Sequence, residues 1–254
     1  MSSEEPSNKQ TQIVGVQKVG KLVDENKYFY NEDESIPAIE SLFGSHIGDQ
    51  VLEIGSGTGA IAHWLVQRGA SVTAVEPEPV LAKKISLRFS SADDIEVIIG
   101  GSVDAYRQLA ESKKVFDTVI YLNVMEHIAD DLGEFNKAKS VLKPGGKLLV
   151  YVPALPWLYS QIDAETGHVR RYTKKLLREV TAKSGFKLVS LDYFEVVGII
   201  PYLIVYKLLR RRVVTGSSSG FYNKVIIPLS MILHKIMRGR LVGKNLVLVA
   251  SKPQ

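Results

Sequence analysis

Val51-Leu52-Glu53-Ile54-Gly55-Ser56-Gly57-Thr58-Gly59 decides how the rest of this chain is read. Val51 to Ile54 is a short, mostly apolar run with β-branched residues at both ends, closed by glycine, which is the pattern of a buried strand. Three glycines at alternate positions follow, and they permit backbone angles and close approaches that a Cβ would forbid. Ala60-Ile61-Ala62-His63-Trp64-Leu65 then resumes as a helix. The turn therefore lies at a helix N-terminus, where backbone N–H groups point outward. Strand, glycine turn and helix together predict a nucleotide-class binding edge.

The flanks select the ligand. Gly55-x-Gly57-x-x-Ala60 also fits a relaxed dinucleotide fingerprint, so the glycines alone leave a dehydrogenase reading open. Glu53, however, sets a carboxylate beside the place a pyrophosphate would occupy, which suits a cationic amino-acid group instead. A second strand, Ser71-Val72-Thr73-Ala74-Val75, ends in Glu76-Pro77, where a carboxylate can accept from both hydroxyls of a ribose. An ammonium at one end and a ribose diol at the other describe S-adenosylmethionine (SAM). At this point the sequence resembles the class I SAM-dependent methyltransferases, with VLEIGSGTG as their first motif and VTAVEPEP as their second.

Later segments extend the resemblance over roughly residues 48–195. Phe116 to Tyr121 looks like the family's fourth strand, followed by Leu122-Asn123-Val124-Met125-Glu126-His127-Ile128. Leu142-Lys143-Pro144-Gly145-Gly146 leads into an apolar fifth strand, and Ser184-Gly185-Phe186 introduces the sixth. The resemblance implies an α/β, Rossmann-like sheet of seven strands. It would be mostly parallel, with helices on both faces and an antiparallel last strand, supplied here by Asn245 to Ala250. It also implies Glu53, Gly55, Ser56, Gly57, Gly59, Glu76, Pro77 and Asn123 as cofactor contacts. Ser102-Val103 stands where the family often carries an acid for the adenine amino group. Serine departs from that pattern, so Ser102, its backbone or Asp104 would serve. Tyr28 and Tyr30 are placed over the ligand by the same family layout.

Composition bounds the rest. A chain of 254 residues suits one α/β domain with an insertion. With no cysteine there is neither disulfide nor thiolate chemistry, which fits a reducing compartment. Residues 1–12 are polar and read as a disordered tail without a signal peptide, leaving 13–254 as a single domain. The expected location is the cytoplasm.

The net charge of +5 is unevenly spread. From Ile199 to Lys244 there is no acid, while Lys207, Arg210, Arg211, Arg212, Lys224, Lys235, Arg238, Arg240 and Lys244 are basic. Two apolar runs, Ile199 to Tyr206 and Val225 to Leu233, each carry Ile-Ile-Pro near their start. Proline favours a first helical turn and bases a last one, so 197–244 reads as an insertion of two short helices joined by the loop Thr215 to Gly220. Neither run reaches the ~18–20 residues of a membrane span. An interfacial hairpin on an anionic membrane, peripheral on its inner face, is one reading; a cap on the domain and a dimer contact are the others. Nucleic acid is not expected, and the oligomeric state stays open.

Methyl transfer asks for little beyond positioning, plus a base where the acceptor is an oxygen or nitrogen. His127, just past the fourth strand, and His168 are the candidate catalytic residues. Trp157, Tyr159, Arg170, Arg171 and Tyr172 follow the fifth strand and are the candidate acceptor contacts, aromatic walls and anion-holding guanidiniums. The helix Lys174 to Lys183 would be capped by Thr173. Glu126-His127 resembles the Glu-x-x-Glu-His metal pattern of small-RNA 2′-O-methyltransferases and ubiquinone-pathway O-methyltransferases. Asn123 replaces its first glutamate, so no metal is assigned, although His168 could add a ligand. The WLYS…D…GHVRRYT arrangement is similar to bacterial methyltransferases associated with cell-surface glycan assembly. A methyltransferase acting on a small or lipid-linked acceptor, favouring oxygen, is the expected function; a membrane-associated SAM-binding scaffold and a metal-assisted O-methyltransferase are the alternatives.

Overall fold

The computed structural model describes residues 35–89, 94–209, 222–237 and 241–254. The expectations for the N-terminal tail, for Tyr28 and Tyr30, and for the loop Thr215 to Gly220 fall outside them. Within the described residues, β1 (Gln50–Ile54), β2 (Ser71–Glu76), β3 (Ile95–Ile99), β4 (Phe116–Leu122), β5 (Leu142–Pro153), β6 (Lys187–Phe194) and β7 (Asn245–Ser251) form one sheet in the order β3-β2-β1-β4-β5-β7-β6. β1 pairs in parallel with β2 and β4, and β7 runs antiparallel between β5 and β6. This is the seven-stranded, mostly parallel arrangement the sequence implies.

Strand alternation divides the core in two. Leu52, Tyr121, Leu148 and Val150 face one side, against Phe135, Val141 and Leu177. Val51, Ile120, Leu149 and Tyr151 face the other, against Leu65, Phe43 and Val249. Burial on both faces explains why these strands read as continuous apolar runs. The helices α1 (Ile36–Phe43), α2 (Ala60–Gln67), α3 (Pro79–Arg88), α4 (Ser102–Ser112), α5 (Asp131–Val141), α6 (Gln161–Glu165) and α7 (Lys174–Lys183) cover the faces. Thr173 accepts from Leu176 N at 3.1 Å and caps α7 as expected.

After β6 the chain makes two short helices. α8 (Ile199–Tyr202) continues through wide π-type turns over Leu203–Leu208, and a similar turn at Tyr222–Ile226 leads into α9 (Ile227–Met237). α9 packs against α1 and β6 through Ile227 and Met231, on the face that carries Tyr151. None of the described helices is long and apolar enough to cross a membrane.

Candidate functional site

The glycine turn takes the shape its sequence demands. Gly55, Gly57 and Gly59 have φ of 76°, 54° and 80°, the left-handed region open to glycine at little cost. A Cβ on Gly55 would also run into the Val124 side chain. Gly55 N and Ser56 N donate to Val75 O at 2.8 and 3.0 Å, folding the turn across the end of β2. Glu76, buried at that end, accepts from Gly57 N at 2.8 Å and from Glu78 N at 3.0 Å. Its carboxylate is thereby fixed at the strand edge. On the other side of β1, Asn123 has φ 54° and its N–H donates to Tyr151 O at 2.9 Å, so the chain turns sharply as it leaves β4.

A cavity of about 330 Å³ opens along this edge, at the low end of the usual ligand-site range. One end is made by Glu53, Gly55, Ser56, Gly57, Leu122 and Asn123. The other is made by Tyr151, Phe194, Glu195 and Ile227, with α1 contributing Ser35, Ala38 and Ile39. Buried Asn245 joins the second group: its Nδ2 donates to Tyr151 Oη at 2.8 Å and to Glu195 Oε2 at 2.7 Å. Lys244 Nζ lies 2.8 Å from the same carboxylate.

Past Asn123, a short 3₁₀ turn presents Glu126 and His127. Val169 N donates to Glu126 O at 2.8 Å, which brings His168 alongside. The two imidazoles meet edge to face with centroids 4.8 Å apart. Burial, then the neighbouring His168, pushes the His127 pKa down to about 4, so its ring is neutral near pH 7. Burial pushes Glu126 up to about 8, and its Oε2 has no hydrogen-bond partner among the described residues. His168 Nδ1 lies 2.9 Å from Asp163 Oδ1, and this contact orients the ring.

Residues 24–191 match a family model described as a methyltransferase domain. This chain belongs to the class I SAM-dependent methyltransferases. Among its relatives is a ubiquinone biosynthesis O-methyltransferase of Xanthomonas euvesicatoria pv. vesicatoria (strain 85-10), 34% identical over 104 residues, covering 41% of this chain and 42% of that protein. The chain thus matches less than half the length of such relatives. In structure it is similar to a SAM-dependent methyltransferase from Archaeoglobus fulgidus, with TM-score 0.59, 18% identity and coverage of 87% and 94% of the two chains. Haemonchus contortus phosphoethanolamine N-methyltransferase 2 in complex with SAM gives TM-score 0.57 at 17% identity, covering 89% of this chain and 53% of that one. At these identities the structural likeness concerns the fold alone.

The cofactor of this methyltransferase family is SAM, and the edge fits it. A Cβ on Gly55 would meet Val124 and one on Gly59 would meet Ile85, Glu76 is held at the strand end by Gly57 N and Glu78 N, and Glu53 lines the cavity. Pro77 is exposed beside Glu76. Ser102 and Val103 start α4, but Ser102 Oγ donates to Glu134 Oε2 at 3.1 Å, and Val103 is exposed. Ser102 is therefore already engaged by a carboxylate of the core.

The methyltransferase places several expected acceptor contacts elsewhere. Tyr172 is fully buried and donates to Met125 O at 2.9 Å. Arg171 is buried, with Nε and NH2 each 2.9 Å from Asp163 Oδ1. Arg170 is held by Asp131 Oδ2 at 2.7 Å and by Ala129 O. Buried or ion-paired, these three brace the loop that carries His168. Tyr159 Oη donates to His168 O at 2.7 Å, and Trp157 is 53% exposed beside Lys207. Neither lines the cavity, and nor do His127 and His168. The residues that do, Tyr151, Phe194, Glu195 and Ile227, went unremarked in the sequence, as did the Asn245 that braces two of them. One signal was present, since Glu195 is the last acid of the chain and directly precedes the acid-free stretch.

Proposed function

We propose that this methyltransferase moves the methyl group of SAM to an oxygen of a small or lipid-linked acceptor, working at an anionic membrane surface met by residues 199–244. The observation that carries the reading is a cavity lined both by Gly55 and Glu53 at the glycine edge and by Glu195 and Ile227 in a mixed polar and apolar lobe. The Xanthomonas relative, a ubiquinone biosynthesis O-methyltransferase, favours oxygen as the acceptor atom.

SAM, when bound, supplies a methyl group on a good leaving group. Glu53 would hold its ammonium and Glu76 its ribose hydroxyls. Asn123 and Leu122 would line its methionine part. The proton released when the acceptor hydroxyl becomes an ether oxygen passes to solvent or a nearby base; His127, neutral near pH 7, stands past Asn123 but outside the cavity lining. Asp163 keeps His168 in place beside it. The membrane reading is supported by exposed Ile200, Ile204, Leu208, Leu229, Ile232 and Ile236 in a segment with no acid, and by exposed Trp157 next to it. A SAM-binding scaffold is less favoured because Glu53, the glycine turn and Glu76 lie together at an edge that opens into further cavity space.

One observation favours a metal-assisted variant. Glu126, His127 and His168 each offer a ligand atom within 4.8 Å of one another, and the buried Glu126 Oε2 lacks a hydrogen-bond partner among the described residues. Asn123 in place of a first acid leaves the set one anionic ligand short. Activity unchanged by chelator would remove this variant.

The main test is transfer of label from methyl-labelled SAM into lipid and polar-metabolite extracts, with products separated. Ether-linked label in a lipid fraction is expected. Absence of label from every extract, in a protein that binds SAM by calorimetry, would overturn the catalytic reading in favour of the scaffold.

A further inference from the structure

α9 has two apolar faces. Inward, Ile227 and Ser230 are buried, Met231 packs on the core, and the His234 ring meets Phe194 at 5.6 Å. Outward, Leu229, Ile232 and Ile236 are 43%, 55% and 68% exposed. Here one face closes the cavity and the other is uncovered in the chain's most basic region.

The lobe beneath α9 has a built polar floor. Glu195 is 2% exposed, its backbone is held at φ 57°, and its carboxylate is clamped by Lys244 and Asn245. A non-glycine residue in that conformation costs energy and persists where the surroundings enforce it. Here they are the β6 end, Gly198 N donating to Glu195 O at 3.2 Å, and Asn245 at the start of β7. Asn245 ties Glu195 to Tyr151, so the two polar groups move as one unit. The rest of the lobe, Phe194, Ile227 and Ile39, is apolar.

Resting on the methyltransferase reading above, we infer that this lobe is the acceptor subsite and that α9 is its roof and its doorway to the membrane. Glu195 and Tyr151 hold the hydrogen-bonding head of an amphiphilic acceptor, Phe194 and Ile227 enclose its apolar part, and Asn245 is a positioning residue acting through both polar groups. An acceptor dissolved in the bilayer under Leu229 and Ile232 reaches the SAM edge by passing α9, without crossing water. The Trp157-to-Tyr172 segment then serves the histidines rather than the acceptor.

The chain has no cysteine, so a single introduced thiol reports one position. Ile227→Cys places it in the roof and Leu229→Cys on the outer face. Alkylation rates are measured with SAM present, first with vesicles of phosphatidylcholine and phosphatidylglycerol, then with vesicles that include total membrane lipid extract. The plain vesicles should slow alkylation of Leu229→Cys only, and the extract should slow Ile227→Cys by about tenfold. Alongside, Glu195→Gln and Ile227→Trp should raise the half-saturating extract in methyl transfer about tenfold, with SAM affinity within about twofold of wild type. Asn245→Asp, which keeps the contact to Tyr151 but repels Glu195, should do the same, and Asn245→Gln should restore part of the loss.

An Ile227→Cys thiol that the extract leaves unprotected, in an enzyme that turns over, overturns the lobe alone. Protection without turnover instead overturns methyl transfer and keeps the lobe. Should Ile227→Trp fail to fold, reversible benzyl disulfide modification of folded Ile227→Cys replaces it; unchanged saturation after modification counts against the proposal.

Discussion

Asp163 shows how much one buried carboxylate organises here. It accepts from Ser160 N at 2.9 Å and from Tyr202 Oη at 2.7 Å, and it faces His168 and Arg171. Burial opposes its charge, but His168, Arg171 and Tyr202 outweigh it and hold its pKa well below the usual carboxylate range. Removing that charge leaves Arg171, whose side chain is 4% exposed, without its counter-ion. Asp163→Asn should therefore cost about 3–5 kcal/mol, read as a lower midpoint in thermal or denaturant unfolding; a shift within error would show the pair is not needed. Tyr202→Phe removes one hydroxyl from the same centre and should cost nearer 1 kcal/mol. At the cofactor edge, Glu76→Ala loses both the diol acceptor and the anchor of Gly57 N. A rise in the SAM dissociation constant of at least about tenfold is expected by calorimetry, with the fold retained. The place of Glu76 at the end of β2 was legible because it follows directly from the strand pattern. Arg171 was not: a guanidinium near a ligand edge and one buried under it look alike until the distant Asp163 is known to approach.

Among elements, β1 is the best marked and the most informative. Alternation sends Val51 to one core and Leu52 to the other, and the glycines end the strand at the edge of the cavity. Gly55→Ala would meet Val124 and hold alanine at φ 76°. It should reduce SAM affinity by about tenfold or more, and unchanged calorimetry would count against the cradle. The other end of β1 is pinned by Asp117, which accepts from Gln50 N at 2.9 Å and pairs with Lys143 at 2.8 Å. Burial works against the Asp117 charge, but Lys143 and Gln50 outweigh it and set the folded pKa below the ordinary value. A depressed folded pKa means this carboxylate adds stability above the unfolded value of about 4. That contribution disappears as pH falls through the lower folded value. The unfolding midpoint of Asp117→Asn should thus approach wild type as pH drops from 5 to 2, with the gap widest at neutral pH; a constant gap would argue against the linkage. The strands and glycines were readable because each is decided by neighbours in sequence. The acceptor lobe was not, because it joins α1, β5, β6 and α9 through contacts that local patterning does not encode.

For the molecule as a whole, the question is which surface faces which partner. The exposed apolar residues of α8, its π-type continuation and α9 belong to a segment that holds bases and no acids, and Lys207 of that segment lies over exposed Trp157. α8 and α9 already pack on the domain with their inner faces, yet Ile200, Ile232 and Ile236 stay more than half exposed. A second copy of the chain would cover them too, but would have to bring two basic, acid-free surfaces together. An anionic bilayer resolves both problems, since it accepts the aliphatic side chains and attracts the lysines. Exposed Lys224 and Lys235 flank the outer face of α9, and each basic residue near such a surface contributes about 1 kcal/mol. Lys224→Gln and Lys235→Gln should each weaken sedimentation with phosphatidylglycerol-containing vesicles by roughly fivefold at low salt. Raising the ionic strength toward 1 M should shrink this difference as screening shortens to about 3 Å, while Ile232→Ser should weaken binding at every salt concentration because its contribution is apolar. Equal binding to neutral vesicles, or a protein that stays in the supernatant with both, would remove the membrane and return α8 and α9 to a cap or a dimer contact. A concentration-dependent sedimentation coefficient in lipid-free buffer would then favour the dimer over the cap.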